Sequence, residues 1–323
     1  VVSDSLQDPA LPGFARDLSQ AYQAKLGERR MMSNELYLTL VYRPNVSRVS
    51  RALQSTRRTR TAIAEAQAEA LRVMEERTAL VGRVLRGFGP ELLGTRERRG
   101  RTYSEVAEFL GYLVNGCWRA IPMMAGPLYR TLPTVRLSFG GDKLELRQGD
   151  HRRYAALVDI KEYADAVEPG ILNALLYEAS EFIETQSFSI LPRREAMRAL
   201  ELQRDQLIAS DDVVASQVAE MDVALNELGD GQFCMGEYHY SLVVFGEPGE
   251  HDVADAGRRA AQAIGAVGEA SSLQMAPVDL VADAAWFAQM PGNWQWRPRD
   301  AKLSSRAFAA LASSHNFARG KRD

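Results

Sequence analysis

Cysteine is nearly missing from this chain: 323 residues include two, Cys117 and Cys234. A pair so far apart excludes a disulfide framework and a cysteine-rich zinc site, and it suits a reducing compartment. Histidine is scarce as well. No two of His151, His239, His251 and His315 stand three to five residues apart, and no His-Glu-x-x-His frame occurs, so no metal-ligand spacing exists. Cys234 and His239 differ by five, which puts them on opposite faces of a strand. Long apolar runs are missing too. The most apolar stretch, Gly111–Tyr129, is interrupted by Arg119, Asn115, Pro122, Pro127 and three glycines, which excludes a membrane-spanning helix. Residues 1–10 lack the basic and apolar regions of a secretory signal. The chain opens on Val1-Val2-Ser3-Asp4 and reads as a piece of a longer protein. Lysine is missing where a phosphate loop would need it: Gly89-Pro90-Glu91-Leu92-Leu93-Gly94-Thr95 has the glycine spacing, but Thr95 follows Gly94 directly. There is no Gly-x-Ser-x-Gly elbow. The paired carboxylates Glu75-Glu76 and Asp211-Asp212 are neighbours on expected helices and point different ways. These absences lead to the expectation of no catalytic centre, cofactor or metal within the chain itself.

What is present is ordinary globular composition, with 46% hydrophobic and 25% charged residues and a net charge of −3, which points to neither a nucleic acid nor a membrane. The charge is unevenly placed. Arg43–Arg101 holds 14 arginines, no lysine and six glutamates, whereas Asp205–Gly257 holds 12 acidic residues and no lysine or arginine. The arginines do not alternate with aromatics as on a single-strand platform. Pairs such as Glu69 with Arg72 point to solvated or protein-facing helix, with nucleic-acid contact by Arg43–Arg101 as the alternative.

Apolar periodicity predicts helices over Phe14–Leu26, Thr59–Leu85 (stripe Ile63, Ala66, Ala70, Val73, Leu80, Val84), 106–114 capped by Thr102 with Glu105, 192–209, 210–229 (stripe Val214, Val218, Met221, Leu225, Leu228), 252–265, 279–289 and 304–313. Strands are expected over Glu35–Arg43, 134–139, 143–147, 154–163, 182–190 and 233–245, with Gly140-Gly141 supplying positive φ for a two-residue hairpin turn. Gly87–Gly100 reads as a loop or boundary. The order after residue 150 suggests an α+β fold of mixed or antiparallel sheets, helices on one face, split β-α-β units and long amphipathic helices. The expected division is 1–100, an α/β subdomain with an arginine-rich helix; 101–278, an α+β subdomain; and 279–323, a helical junction.

Several stretches together resemble one family. The most specific is Trp286-Phe287-Ala288-Gln289-Met290-Pro291-Gly292-Asn293 with Arg297-Pro298-Arg299, then Ser304-Ser305-Arg306-Ala307-Phe308-Ala309-Ala310-Leu311, and Ser314-His315-Asn316-Phe317 with Gly320. Asn34–Val41, Glu108-Phe109-Leu110, Val114-Asn115-Gly116, Asp159–Tyr163, Thr185–Phe188 and Gly236–Leu242 agree with it in order and spacing. The string is similar to the N-terminal region of the CagE/TrbE/VirB family of type IV secretion ATPases, the fourth VirB component, ending before its motor domain.

The resemblance implies a non-catalytic docking and oligomerisation region of an ATPase that energises type IV secretion or conjugation. It implies a cytoplasmic place, peripheral at the inner membrane. The implied partners are further copies of itself, inner-membrane subunits including a small third-VirB-component-type protein, and other secretion ATPases, with ATP and Mg bound by the parent's motor. Gln289, Pro291, Gly292, Asn293, Arg297, Ser304, Ser305, Phe308, His315, Asn316 and Gly320 would mark the motif and junction with the motor. Pro291-Gly292 also suits a simple type II turn. Leu113, Trp118, Met123 and Met124 are the candidate docking surface, on the ground that apolar groups exposed together mark interfaces. Helix 279–289 should end at Met290, and Trp294–Arg299 should run extended as a loop or sheet edge, with Ser304 or Ser305 capping the next helix.

Overall fold

The computed structural model describes residues 13, 14, 17, 18, 21, 34–42, 60–164, 167–209, 215–247 and 253–312. Its elements are helix α1 (Arg60–Val84), strands β1 (Thr95–Arg98) and β2 (Arg101–Ser104), α2 (Glu105–Asn115), α3 (Leu128–Thr131), β3 (Arg136–Phe139), β4 (Lys143–Gln148), β5 (His151–Glu162), β6 (Phe182–Ile190), α4 (Arg193–Ala209), α5 (Ala215–Asp230), β7 (Met235–Phe245), α6 (Val253–Ala270), β8 (Gln274–Pro277), α7 (Ala282–Ala288), β9 (Ala301–Ser304) and α8 (Ser305–Leu311).

Strand β5 is the spine. Its run Ala155–Ile160 is buried throughout, which requires cover on both faces. On one edge β4 pairs with the first half of β5 and β8 with the second; on the other edge β7 pairs with Ala155–Val158. Strand β7 carries β6 along its far edge and β9 at its start. Every pairing is antiparallel, so β7 and β8 run parallel with β5 between them and α6 crossing over, a split β-α-β unit.

Alternation sends Ala156, Val158 and Ile160 to one face, where Ala256, Ala260, Ala263 and Val267 of α6 cover them with Leu172 and Leu175. It sends Ala155 and Leu157 to the other face, beneath Leu113 of α2 and Ala282, Ala285 and Trp286 of α7. The fold is α+β as the sequence implies, but the helices cover two faces rather than one. The uninterrupted apolar run of β5 leaves no face for solvent. A separate cluster joins the α4–α5 hairpin to the sheet end through Leu200, Leu225, Leu228 and Met235.

Local expectations differ in instructive ways. Segment 34–42 forms no strand pairing among the described residues, and Leu36 and Leu38 are exposed. Gly87–Gly100 is not simply a loop, because it ends in the β1–β2 hairpin. The cap of α2 is Ser104, whose Oγ accepts the Ala107 N–H, and not Thr102, which lies within β2. Glu105 instead takes the Gly94 N–H on its carboxylate at 2.8 Å. The Gly141–Asp142 turn forms, closed by Gly140 N–H to Lys143 O at 2.7 Å, without a positive φ at either glycine. On α1 the half-buried residues include Ala70, Val73, Met74, Thr78 and Val81, while Ile63, Leu80 and Val84 are exposed. Helix α7 starts at Ala282, Trp294–Trp296 is a 3-10 turn, and the sheet edge comes later, as β9. Of the expected helix Phe14–Leu26, the described Phe14, Asp17, Leu18 and Ala21 are helical. The expected divisions at 100 and 278 fall inside the β1–β2 hairpin and just before α7, which shares the β5 core.

Candidate functional site

Four of the stretches that carry the resemblance, around Tyr163, Phe188, Tyr238 and Phe308, meet at one end of the sheet. Register sets Phe188 of β6 beside Tyr238 of β7 and Ile190 beside Gly236. The tip of the Phe188 ring lies against Gly236, where an added Cβ would come 2.4 Å from its Cζ. Phe188 also stacks on Phe308 of α8 at 4.8 Å, and Tyr238 meets both Phe308 (5.9 Å) and Tyr163 (6.0 Å). Glycine at 236 is therefore a packing requirement: any side chain there would displace the ring that ties β6 to α8. Gln186 of β6 donates its amide to the Leu311 carbonyl at 3.0 Å, fixing the end of α8.

Helix α8 is positioned by serines. Ser304 Oγ accepts the Ala307 N–H at 3.1 Å as the N-cap. Ser305 donates its backbone N–H to Cys234 O at 2.7 Å and accepts the Cys234 N–H on Oγ at 3.2 Å, bolting the helix start to the start of β7. Upstream, Asn293 N–H to Met290 O at 3.0 Å closes a turn with Gly292 at φ 89°, as a type II turn requires. The Asn293 side-chain amide donates to Phe287 O at 3.0 Å, and the Gln289 amide donates to Trp286 O at 3.0 Å. Arg297 reaches Ser189 Oγ at 3.1 Å, and burial lowers its pKa from the usual guanidinium range. Pro291, Gln289, Asn293 and Arg297 thus form a strap pinned to α7 and β6. His315, Asn316 and Gly320 lie outside the described residues.

Beneath the strap the sheet opens. Strand β5 leaves β7 at the Val158–Leu242 pair, and β9 joins it only at Tyr238–Ala301. His239 and Ser241 fall in this gap and are buried. The Arg299 carbonyl lies 2.6 Å from His239 Nδ1. A carbonyl only accepts, so Nδ1 carries the proton and donates. Burial lowers the His239 pKa and keeps the ring neutral, and Nε2 has no partner among the described residues. Asp159, one step beyond the Val158 pair, is buried on the Leu157 face. Its Oδ1 accepts the Ile160 N–H at 2.7 Å, and desolvation pushes its carboxyl up to about 7. Ser187, Ser241, Trp286 and Gln289 also hold buried polar atoms without partners here. Among the described residues no group of three His, Cys, Asp or Glu side chains could hold a metal ion.

The second candidate, the docking surface, divides. Leu113 is buried in the α2–α7 core and cannot belong to an exposed surface, because its position on α2 points at Leu144, Leu146 and Phe245. Trp118, Met123 and Met124 are exposed by 46%, 58% and 43%. Trp118 stacks on Tyr112 at 4.6 Å and approaches Tyr37 at 5.9 Å, and Tyr37 stacks on Phe109 at 4.7 Å, so four rings form a half-open platform.

Asn115, which the sequence marks only as a motif residue and a break in the apolar stretch, uses both donors and both acceptor sites of its side chain. Its amide donates to Gly111 O and Leu132 O, both at 2.8 Å, and its Oδ1 accepts the N–H groups of Thr134 (2.8 Å) and Val135 (3.2 Å). Gly116 after it has φ 65°, the left-handed stop of α2. The Asn-Gly pair at a helix end was the available signal.

Residues 91–299 match the model of the CagE, TrbE, VirB family, component of type IV transporter system. The chain is 39% identical over 320 residues to the type IV secretion system protein PtlC homolog of Bordetella bronchiseptica, covering 96% of this chain and 38% of that protein. It is 38% identical over 318 residues to the type IV secretion system protein virB4 of Brucella abortus, covering 96% and 38%. A virB4 of Bartonella henselae is 32% identical over 313 residues, covering 95% and 39%. The chain spans well under half the length of these relatives.

Proposed function

The chain belongs to the CagE, TrbE, VirB family of type IV transporter components, and from that premise we propose that it is the non-catalytic docking and oligomerisation region at the N-terminal side of a type IV secretion or conjugation ATPase. The observation that carries this reading is the long similarity to relatives more than twice its length, together with the absence from the sequence of a Gly-x-x-x-x-Gly-Lys-Ser/Thr loop. ATP and Mg would bind in the remainder of the parent. In this chain two groups at the sheet gap are spent on structure: His239 Nδ1 is held by Arg299 O, and Arg297 by Ser189.

The region would sit at the cytoplasmic side of the inner membrane without crossing it; no described helix is long and apolar enough to span a bilayer. Its half-open ring platform, Tyr37, Phe109, Tyr112 and Trp118, suits an apolar segment of a small third-VirB-component-type membrane subunit, because desolvated aromatics anchor interfaces. Further copies of the chain and other secretion ATPases would complete the assembly. The strap Gln289–Arg297 and α8 would carry motor movement to this region.

Calorimetry separates the roles. The chain alone should take up no ATP, while the full-length parent should bind it with Mg; stoichiometric micromolar binding by the chain alone would overturn the non-catalytic reading. For the strap, Asn293→Ala with His315→Ala in the full-length protein should reduce secretion at unchanged folding. Unchanged ATP turnover and secretion would leave the strap a structural turn.

A further inference from the structure

We propose that the β1–β2 hairpin is a binding site for an anionic lipid surface, with Arg98, Arg99 and Arg101 meeting headgroup phosphates and Met123 and Met124 entering the edge of the acyl layer. This deepens the membrane-side placement proposed above by naming the surface and its chemistry, and the flotation that tests it needs none of the secretion partners.

Three observations at the hairpin tip converge. The first is register. Arg98 stands directly opposite Arg101, and alternation puts both on one face. Like charges at facing positions destabilise a hairpin. The second is the turn. Arg99 at φ 51° and Gly100 at φ 71° are the two central residues of a two-residue turn with both φ positive. Asn, Asp or Gly fills the first of these positions at least cost, and Arg99 is the one non-glycine residue with positive φ among those described. The third is the lack of local compensation. Arg96 spends its charge on Glu108 at 2.6 Å and Glu105 at 3.8 Å, but the side chains of Arg98, Arg99 and Arg101 make no hydrogen bond or ion pair among the described residues. Glu97 faces the other way, beside Thr102. Folding explains none of the three choices, and a tip that breaks two local rules to keep three free guanidinium groups is organised for an external anion.

The neighbouring segment says which anion. Tyr103 forms an isolated antiparallel bridge with Pro122, and Ser104 N–H to Ile121 O at 3.0 Å and Met123 N–H to Thr102 O at 2.8 Å flank it, so residues 121–123 lie alongside β2. Met123 and Met124 are thereby held exposed alongside Arg101 and Thr102. Arginines set beside exposed flexible apolar side chains match the bilayer interface, where phosphates lie just above hydrocarbon. A nucleic acid would use the arginines but not the methionines, and the tip has no aromatic on which bases could stack.

The experiment is vesicle flotation of the intact chain. It should float with phosphatidylcholine vesicles containing phosphatidylglycerol and not with phosphatidylcholine alone, and rising salt should release it. Arg98→Gln with Arg99→Gln and Arg101→Gln should weaken binding by roughly 100-fold. Met123→Ser with Met124→Ser should weaken it about tenfold. A further variant, Arg98→Thr with Arg99→Asn and Arg101→Thr, relieves the repulsion and suits the turn. It should melt about 2 °C higher and still lose the vesicles, which separates lost binding from lost folding. Trp118→Asp should leave flotation unchanged while abolishing capture of the small membrane subunit, so the two readings fail independently. No flotation of the unaltered chain, equal flotation of the glutamine variant, or tighter arginine-dependent binding to duplex DNA than to vesicles would each overturn the proposal.

Discussion

Arginine is used in two opposite ways in this chain. Arg153, on β5, lies over the Phe245 ring at 4.1 Å and grips Glu181 with two bonds of 3.1 and 2.6 Å. Arg98, Arg99 and Arg101 lie at the tip of a hairpin whose one carboxylate, Glu97, faces the other way from Arg98 and Arg101. At Arg153, charge is matched where it is partly buried, because an unpaired charge there would cost several kcal/mol. At the hairpin, charge is left unmatched where water keeps the cost small. The contrast separates residues that hold the fold from residues left available to something outside it.

Four measurements sharpen or break this division, from the largest expected effect to the smallest. Trp286→Ala, at the centre of the α7 cover, should cost about 4 kcal/mol in denaturant unfolding. Gly236→Ala should cost about 3 kcal/mol, since the Phe188 ring 2.4 Å from the new methyl must leave its stack on Phe308. Asp159 gives a pH signature. Its carboxyl, pushed up to about 7, keeps its proton in the folded state where the unfolded chain has already lost it. Stability should therefore fall as pH rises from about 4 to about 7 and level off above that. Asp159→Asn should remove that slope and add roughly 2 kcal/mol at pH 8. His239 acts in the opposite sense: its lowered pKa contributes stability that is complete above about 6.5 and is lost as pH falls through the folded value. Finally, Leu71→Glu on the exposed side of α1 should change stability by less than about 0.5 kcal/mol. A large loss there would mean that α1 is covered by a partner already present in solution.

The elements that the sequence announces are those whose side chains carry the period. Strands β4, β5 and β7 carry alternating or near-continuous apolar runs, α5 keeps Leu225 and Leu228 on its inner side, and Ser304 caps its helix as serine before an apolar run should. The hairpin β1–β2 is illegible by the same rule, because Thr95–Arg98 and Arg101–Ser104 bury no face that would mark a strand. Four-residue β8 and β9 are too short to show a period and form because β5 and β7 offer them open edges. The converse failure is segment 34–42, whose alternation suits a strand that finds no pairing among the described residues. At the candidate site the turn at Pro291-Gly292 was legible from residue chemistry. The gap around His239 and Ser241 was not, since it depends on where β5 leaves β7, a fact of register rather than of local composition.

Capture by the small inner-membrane subunit tests the central claim most directly. Co-expressed with a third-VirB-component-type protein and purified through a tag on that protein, the chain should be recovered in stoichiometric amount without added ATP, and Trp118→Asp should reduce the recovery at least about tenfold. A chain that washes away from the subunit unaltered, or that binds and hydrolyses ATP on its own, would contradict the proposal of a non-catalytic docking region.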